Sequence, residues 1–171
     1  MNQNQYYLRA PLISDVDAAI AIHCDPQTNL YRPGGSPTRT EAAAYIPEWI
    51  AQWEKNGIGY WSLIDKADET IVGFGGITVK QIGPYYGLNL YFRLSPSVWG
   101  KGLASFIGRS AFVEAFEKRT FEAVYGLVRP ANIPSCRALE RLGLTVVGEL
   151  QDVENAAPSL IYRITQETYF S

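Results

Sequence analysis

A short glycine-rich segment carries the residues best suited to bind an anion. It runs Trp99-Gly100-Lys101-Gly102-Leu103-Ala104 and joins a predicted strand to a predicted helix. Successive backbone N–H groups in such a turn point toward one spot, and the helix N-terminus adds about half a positive charge. The glycines allow a ligand to approach closely, and the lysine adds a mobile cation. The segment therefore indicates a phosphate or pyrophosphate site, with an ordinary strand–helix turn as the alternative.

The spacing of this turn excludes two common phosphate motifs. The chain contains no G-x-x-x-x-G-K-[ST] segment, so the turn is not a P-loop. Ser105 stands where a G-x-G-x-x-G fingerprint needs its last glycine. A predicted antiparallel meander precedes the turn, whereas a dinucleotide-binding fold begins with a βαβ unit.

Composition and charge exclude several classes of protein. With 47% hydrophobic and 19% charged residues, the chain has a globular composition. Its net charge of −2 makes it a poor candidate for binding nucleic acid by phosphate neutralisation. Cys24 and Cys136 cannot build a disulfide framework, and one histidine leaves no dense metal-ligand cluster. We see neither a secretory signal nor a membrane span, and therefore expect a cytoplasmic protein without a membrane partner.

Hydrophobic periodicity and turn residues predict the elements that position the turn. The predicted strands cover residues 6–9, 58–65, 70–79, 86–94, 122–128, 145–150 and 160–165. One predicted helix begins at Ser14, and the others cover 38–55, 102–118 and 134–142. Pro47 lies inside the helix 38–55, where it predicts a kink or a break into two helices. A length of 171 residues favours one domain. The order predicts a mixed sheet with packed helices, in which strands 86–94 and 122–128 form a parallel pair.

The turn resembles the pyrophosphate loop of the GNAT superfamily of acyl-CoA N-acyltransferases, which reads [RQ]-x-x-G-x-[GA]. Trp99 replaces the usual Arg or Gln, Gly102 takes the central glycine position and Ala104 the last. The W-G-K-G form is similar to the RimJ/RimL-like branch, which includes the N-terminal acetyltransferases of ribosomal proteins.

A second block supports this resemblance. Asn132, Ser135 and Gly143 match the N-x-x-S-x-x-x-x-x-x-x-G-[FL] helix of the same branch. Residues 8–15 fit its N-terminal pattern more loosely, and the similarity spans nearly the whole chain.

The resemblance implies a fold and a cofactor. The fold is α/β (α+β), with a mixed, mostly antiparallel sheet of six to seven strands, about four flanking helices and a V-shaped splay between strands 86–94 and 122–128. One N-acetyltransferase domain would cover residues 1–171. Acetyl-CoA would be the acyl donor, with its pantetheine arm in the splay and without a metal. The implied cofactor contacts are the main chain of Phe92 and Leu94, the turn residues Trp99, Gly100, Lys101, Gly102, Leu103 and Ala104, and the later residues Asn132 and Ser135.

Acetyl transfer to an amine needs a neutral amine, a stabilised oxyanion and a proton for the departing thiolate. The resemblance implies Ser135 as the group that hydrogen-bonds or protonates the thiolate, with a helix-capping role as the alternative. Asn89 stands near the place where many relatives carry a glutamate, and an amide cannot act as a base. Glu149 and Glu154 lie at or after the sixth strand, and the branch often has an acidic residue facing the acceptor amine in the segment that corresponds to residues 150–154. The resemblance therefore implies Glu154 as the candidate base, with an ordinary solvated acid as the alternative.

Other residues concern the amine acceptor. We expect His23 on the surface of the first helix rather than in an acceptor site, and Cys136 in a packing role. Trp49, Trp53 and Trp61 are expected to fill the core rather than line a cleft. The loop 31–35 follows the first helix, which borders the acceptor site in this superfamily, so we expect it to contact the acceptor.

Two function classes remain at this point. The first is an acetyl-CoA-dependent N-acetyltransferase that acts directly, in a ternary complex, on the primary amine of a protein N-terminus or a small molecule. The alternative is a non-catalytic acyl-CoA-binding or sensor module on the same fold. We expect a monomer or homodimer that does not bind nucleic acid.

Overall fold

The computed structural model describes residues 3–171, which are built around one seven-stranded sheet in the order β1-β2-β3-β4-β5-β7-β6. The strands are β1 (Tyr6–Arg9), β2 (Tyr60–Asp65), β3 (Thr70–Ile82), β4 (Tyr85–Leu94), β5 (Ala123–Val128), β6 (Thr145–Leu150) and β7 (Ser159–Thr165). The helices are α1 (Val16–His23), α2 (Arg39–Asn56), α3 (Leu103–Phe112), α4 (Ile133–Arg141) and α5 (Gln166–Phe170). This confirms the predicted mixed and mostly antiparallel sheet.

Strands β2, β3 and β4 form the predicted antiparallel meander, and β1 pairs with β2 at its edge. Short polar turns make this possible, because aspartate side chains there bind nearby backbone N–H groups. In the β2–β3 turn, Asp65 accepts a hydrogen bond from the amide of Ala67 and Asp68 accepts one from the amide of Thr70. The meander brings β4 to the centre of the sheet.

Helix α2 continues through Pro47, so of the two predicted alternatives, a kink or a break into two helices, the break is wrong. Thr38 caps its first turn by accepting the amide of Glu41 at 3.1 Å, as its T-x-x-E sequence indicates. Gly57 ends it with a left-handed φ of 64°. An internal proline costs about 3 kcal/mol, but Ile46 and Trp49 are buried on either side of it and hold both halves against the sheet.

The side chains of β4 alternate between two faces of the sheet, as the pleat requires. Leu88 and Leu90 enter the core cluster that contains residues of α3 and α4. Tyr91 packs instead against the cluster of α1, α2 and β3 side chains, which includes Ala19 and Trp49. Strand β4 therefore carries apolar side chains toward one layer of helices and polar side chains toward the other.

Strands β4 and β5 pair in parallel, as predicted, but only over a short stretch. The paired residues are Leu88–Leu90 on β4 and Val124–Gly126 on β5. Beyond Leu90, β4 continues to pair with β3 and β5 continues to pair with β7, but not with each other. This confirms the V-shaped splay.

Two features escaped the sequence patterns. Helix α3 continues as a π-helical turn over Val113–Glu117, and a short α5 follows the last strand, capped by Thr165. Among the described residues, no helix is long and apolar enough to cross a membrane.

Candidate active site

The glycine-rich turn has the backbone that an anion site needs. Gly100 and Gly102 have φ values of 77° and 72°, in the left-handed region that favours glycine. No side chain caps the N-terminus of α3. Within the described part of the chain, the amides of residues 100–104 donate to no other group, and the first amide bonded back into the turn is that of Phe106, to Gly102. This leaves a run of free donors at a positive helix end.

Trp99 occupies the position where the family usually has Arg or Gln. Its indole N–H donates to the carbonyl of Leu94 at 3.0 Å, while 47% of the side chain stays exposed. The tryptophan therefore ties the turn to the end of β4. Lys101 beside it is exposed.

A cavity of about 510 Å³, here named the β4–β5 gap, opens where the two strands separate. Its lining includes the predicted cofactor residues Phe92, Asn132 and Ser135, together with Leu127 and Val128 from β5. The gap thus brings the β4 end and the start of α4 together.

Ser135 has a free hydroxyl in this gap. Asn132, not Ser135, caps α4, because its side-chain oxygen accepts the Ser135 amide at 3.3 Å. The Ser135 hydroxyl has no hydrogen-bond partner among the described residues and lines the cavity. The capping alternative for this side chain is therefore wrong, and its hydroxyl is available to a ligand.

Of two acids in the β6–β7 loop, Asp152 lines the β4–β5 gap and Glu154 does not. Glu154 is exposed and lies outside the lining of both cavities, so its candidacy as a base still rests on the sequence. Asp152 lines the gap, pairs with Arg129 at 3.1 Å and accepts a hydrogen bond from Ser159. Of these two acids, only Glu154 was a candidate base from the sequence.

A second cavity of about 340 Å³, here named the α2 cavity, lies on the opposite face of β4, between that face and α1 and α2. Its lining residues from the helices and preceding loops are His23, Asn29, Arg32, Pro37, Tyr45, Glu48, Trp49 and Gln52. Those from the sheet are Tyr60, Thr78, Val79, Lys80, Asn89, Tyr91 and Arg93. Arg32, Lys80, Tyr91 and Arg93 line both this cavity and the β4–β5 gap, so the two cavities adjoin.

His23 is buried in the wall of the α2 cavity, so its predicted place on the helix surface is wrong. Its Nδ1 lies 2.8 Å from the Ala19 carbonyl and its Nε2 lies 2.7 Å from the Tyr91 hydroxyl. A carbonyl can only accept, so Nδ1 carries the proton and Nε2 accepts from Tyr91. Burial lowers the pKa of His23 to about 4, and the ring is neutral at pH 7.

The polar groups at the centre of β4 are also satisfied and neutral. Asn89 donates to the Tyr60 hydroxyl at 2.9 Å. Burial raises the pKa of Tyr91 to about 12 and moves that of Tyr60 in the same direction. Neither phenol is ionised at neutral pH, and the family's glutamate position holds no base here.

The three tryptophans expected in the core are at least partly buried, but one of them also lines a cavity, as do residues of the loop 31–35. Trp61 is in the core and Trp53 is partly buried against it, while Trp49 is buried and also lines the α2 cavity. Tyr31 and Arg32 of the loop line the β4–β5 gap.

The comparisons with known proteins point to one family. Residues 5–145 match the acetyltransferase (GNAT) domain. The chain is 28% identical over 101 residues to YkkB of Bacillus subtilis (strain 168), described as an uncharacterized protein. That alignment covers 57% of this chain and spans 59% of the length of this curated relative.

Solved structures share the whole fold at low sequence identity. The ribosomal-protein-S5-alanine acetyltransferase from Vibrio fischeri has a TM-score of 0.79 and 15% identity, with 98% of this chain and 96% of that chain covered. The spermidine N-acetyltransferase from Vibrio cholerae, solved with CoA and spermine, has a TM-score of 0.73 and 17% identity, covering 99% and 100% of the two chains. Since this domain match extends over well more than half of the sequence, the chain belongs to the GNAT family of acetyltransferases.

Proposed function

We propose that this enzyme transfers the acetyl group of acetyl-CoA directly to the primary amine of an acceptor, with both substrates bound together. The observation that carries this proposal is the junction of the two cavities at Tyr91 and Arg93 of β4. A donor in the β4–β5 gap and an acceptor in the α2 cavity would meet at this point. No covalent enzyme intermediate is then needed, because proximity supplies much of the rate.

The donor would bind along the splayed end of β4. The free amides of residues 100–104 suit the pyrophosphate, with Lys101 as a nearby cation and Trp99 as a flanking contact. The main chain of Phe92 and Leu94 would bind the pantetheine amides in the manner of an added strand. Asn132 would contact the arm from the other side of the gap. No metal is part of this scheme.

The transfer step forms an N–C bond and breaks a C–S bond. The neutral amine attacks the thioester carbonyl, and main-chain N–H groups at the end of β4 stabilise the oxyanion. The departing thiolate accepts a hydrogen bond from the Ser135 hydroxyl, which lines the gap without another partner among the described residues, and any proton that Ser135 gives up is replaced from solvent.

The proton of the amine needs a separate route. His23 is a weak base at a pKa of about 4, and its Nε2 already accepts the Tyr91 hydroxyl. Glu154 remains the sequence-based candidate, and its exposed position would let it receive the proton through water. Since neither side chain is placed as a base at the junction, we propose that water carries this proton to solvent.

The branch, location and partners of the chain remain proposals. The S5-alanine acetyltransferase and the spermidine acetyltransferase among the solved structures support an amine acceptor, either a protein N-terminus or a small molecule. The W-G-K-G and N-x-x-S blocks support the RimJ/RimL-like branch. We propose a cytoplasmic enzyme that works as a monomer or homodimer without nucleic acid.

The test is CoA release from acetyl-CoA with a panel of amines and N-terminal peptides, with mass spectrometry of each acceptor. Acceptor-dependent release, with one acetyl group added per CoA, is the expected result. Tight binding of acetyl-CoA with no turnover on any amine would instead favour the non-catalytic module.

A further inference from the structure

The walls of the α2 cavity carry an excess of positive charge. Arg32, Lys80 and Arg93 line it, whereas Glu48 is its one carboxylate, and His23 is neutral at pH 7. The whole chain has a net charge of −2, so this excess is local. The three cations also line the β4–β5 gap and therefore surround the junction where an amine would meet the thioester.

These three cations have no carboxylate partner in the part of the chain that the structure describes. None of the three forms an ion pair within the described part of the chain. Arg93 uses Nη1 to bind the Thr28 carbonyl and the Asn29 side chain, which fixes the guanidinium in place. Arg32 donates one hydrogen bond to the Gly35 carbonyl, and the ammonium of Lys80 has no hydrogen-bond partner among the described residues. An anion at the junction would meet the fixed guanidinium of Arg93 and two exposed cations, Arg32 and Lys80.

The positive charge at the junction disfavours binding of amines that carry further positive charge and favours amines that also carry an anionic group. A polyamine brings further positive charges into the cation cluster and is repelled. Any amine held there has a lowered pKa, because nearby like charge disfavours its protonated form. An anionic group next to the amine would offset the repulsion while leaving the amine itself free to react.

The remaining walls suit an apolar group of limited size. Trp49 lies between Tyr45 and Tyr60, with ring centroids 5.8 Å and 5.4 Å away. The cavity volume of about 340 Å³ is near the lower end of small-molecule sites and too small for a folded partner. An acceptor that fits is compact and has a flat or aliphatic side group.

We infer that the acceptor is a small primary amine with an anionic group beside the amine and an apolar side chain, the chemistry of a free hydrophobic amino acid. This inference rests on the proposed transfer reaction. The carboxylate would lie on the Lys80, Arg93 and Arg32 cluster, and the side chain would lie against the ring of Trp49.

The experiment compares acceptors that differ in one charge. L-Phenylalanine, L-phenylalaninamide and spermidine are each offered with saturating acetyl-CoA, and kcat/KM is measured by CoA release. We expect L-phenylalanine to exceed the amide by about tenfold or more, the usual effect of losing a charged hydrogen bond. Spermidine should be the poorest acceptor of the three.

Three variants link the preference to the cavity. Lys80→Gln should reduce the ratio of L-phenylalanine to the amide about threefold or more, in keeping with an exposed charge. Glu48→Gln removes the opposing carboxylate and should leave this ratio equal or higher. Lys66→Gln removes an exposed lysine in the β2–β3 turn and should change nothing.

A binding measurement separates this inference from the proposed function. L-Phenylalanine and its amide are titrated by calorimetry into the protein loaded with CoA. Preferred turnover of the amide or of spermidine would overturn the acceptor class and leave the acetyltransferase standing. Carboxylate-dependent binding without CoA release would support the acceptor class and contradict the transfer reaction. If L-phenylalanine neither binds to the protein nor is acetylated, the inference is overturned.

Discussion

Ser135 lines the β4–β5 gap, and its hydroxyl has no hydrogen-bond partner among the described residues. We expect Ser135→Ala to lower kcat by at least the low end of the ~10²–10⁴-fold range of general acid–base catalysis. The KM for acetyl-CoA should change little, because contact with the thiolate matters mainly in the transition state. Steady-state kinetics against Ser14→Ala, which changes an exposed serine outside the lining of both cavities, provides the check. An unchanged kcat would mean that another group or water protonates the thiolate.

Glu154 tests the route of the amine proton. Because its side chain is exposed and outside both cavities, we expect Glu154→Gln to lose less than the ~10²-fold that a positioned base contributes. The acidic limb of the pH–rate profile should also persist. A larger loss with a flattened acidic limb would show that Glu154 takes the proton directly.

His23 gives stability a pH dependence of known direction. Its pKa is about 4 in the folded protein and near 6.5 when unfolded. The unfolded chain therefore binds more protons between these values, and stability falls as the pH drops from about 6.5 toward 4. The loss attributable to this side chain is about 2–3 kcal/mol.

The chain has one histidine, so the assignment can be checked by substitution. Denaturant unfolding of wild type at pH 7 and pH 4.5 should show this decline, and His23→Gln should remove most of it. Equal declines in both proteins would place the titrating group elsewhere.

Single residues also show what the sequence could reveal. Asn132 and Ser135 were identifiable because their spacing matches a family block, and both line the gap. His23 was misplaced although Ala19, one helical turn earlier, is buried on the same face. The role of Asp152 depends on the fold of a loop, and local sequence does not determine which of two nearby acids turns inward.

At the scale of the elements, the turn before α3 is predicted to bind the pyrophosphate, and a substitution at Gly102 tests this. Gly102→Asp would place a carboxylate among the free amides of residues 100–104, where it repels the pyrophosphate. Asp and Asn both tolerate the left-handed backbone of this position better than other residues. We expect calorimetry to show acetyl-CoA binding lost in Gly102→Asp and better retained in Gly102→Asn, with similar circular dichroism for both. Equal affinities in the two variants would place the phosphate elsewhere.

The elements themselves were largely predictable, since periodicity and turn residues report local structure. Strands β1 and β6 begin and end where the pattern predicts. A helix over 38–55 was predicted, but the sequence did not decide whether Pro47 breaks it, because burial of Ile46 and Trp49 against the sheet overrides the local effect of the proline. The two cavities could not be predicted from the sequence either, because they form between elements that are distant along the chain.

At the scale of the whole molecule, the donor should stabilise the fold. A ligand that binds only the native state adds about 2.7 kcal/mol at 100 times its Kd. We expect acetyl-CoA to raise the Tm, while ATP and NAD at equal concentration raise it less, because they lack a pantetheine arm for the β4–β5 gap. Equal or larger shifts with ATP or NAD would contradict the assignment of the gap.

The central claim is that two adjoining cavities hold donor and acceptor together for direct transfer. The most direct measurement is the initial rate as both acetyl-CoA and an accepted amine are varied, with the product identified by mass spectrometry. The account predicts intersecting reciprocal plots and one N-acetylated amine for each CoA released. Parallel plots, which indicate an acetyl-enzyme formed before the amine binds, or bound acetyl-CoA that no amine can discharge, would contradict it.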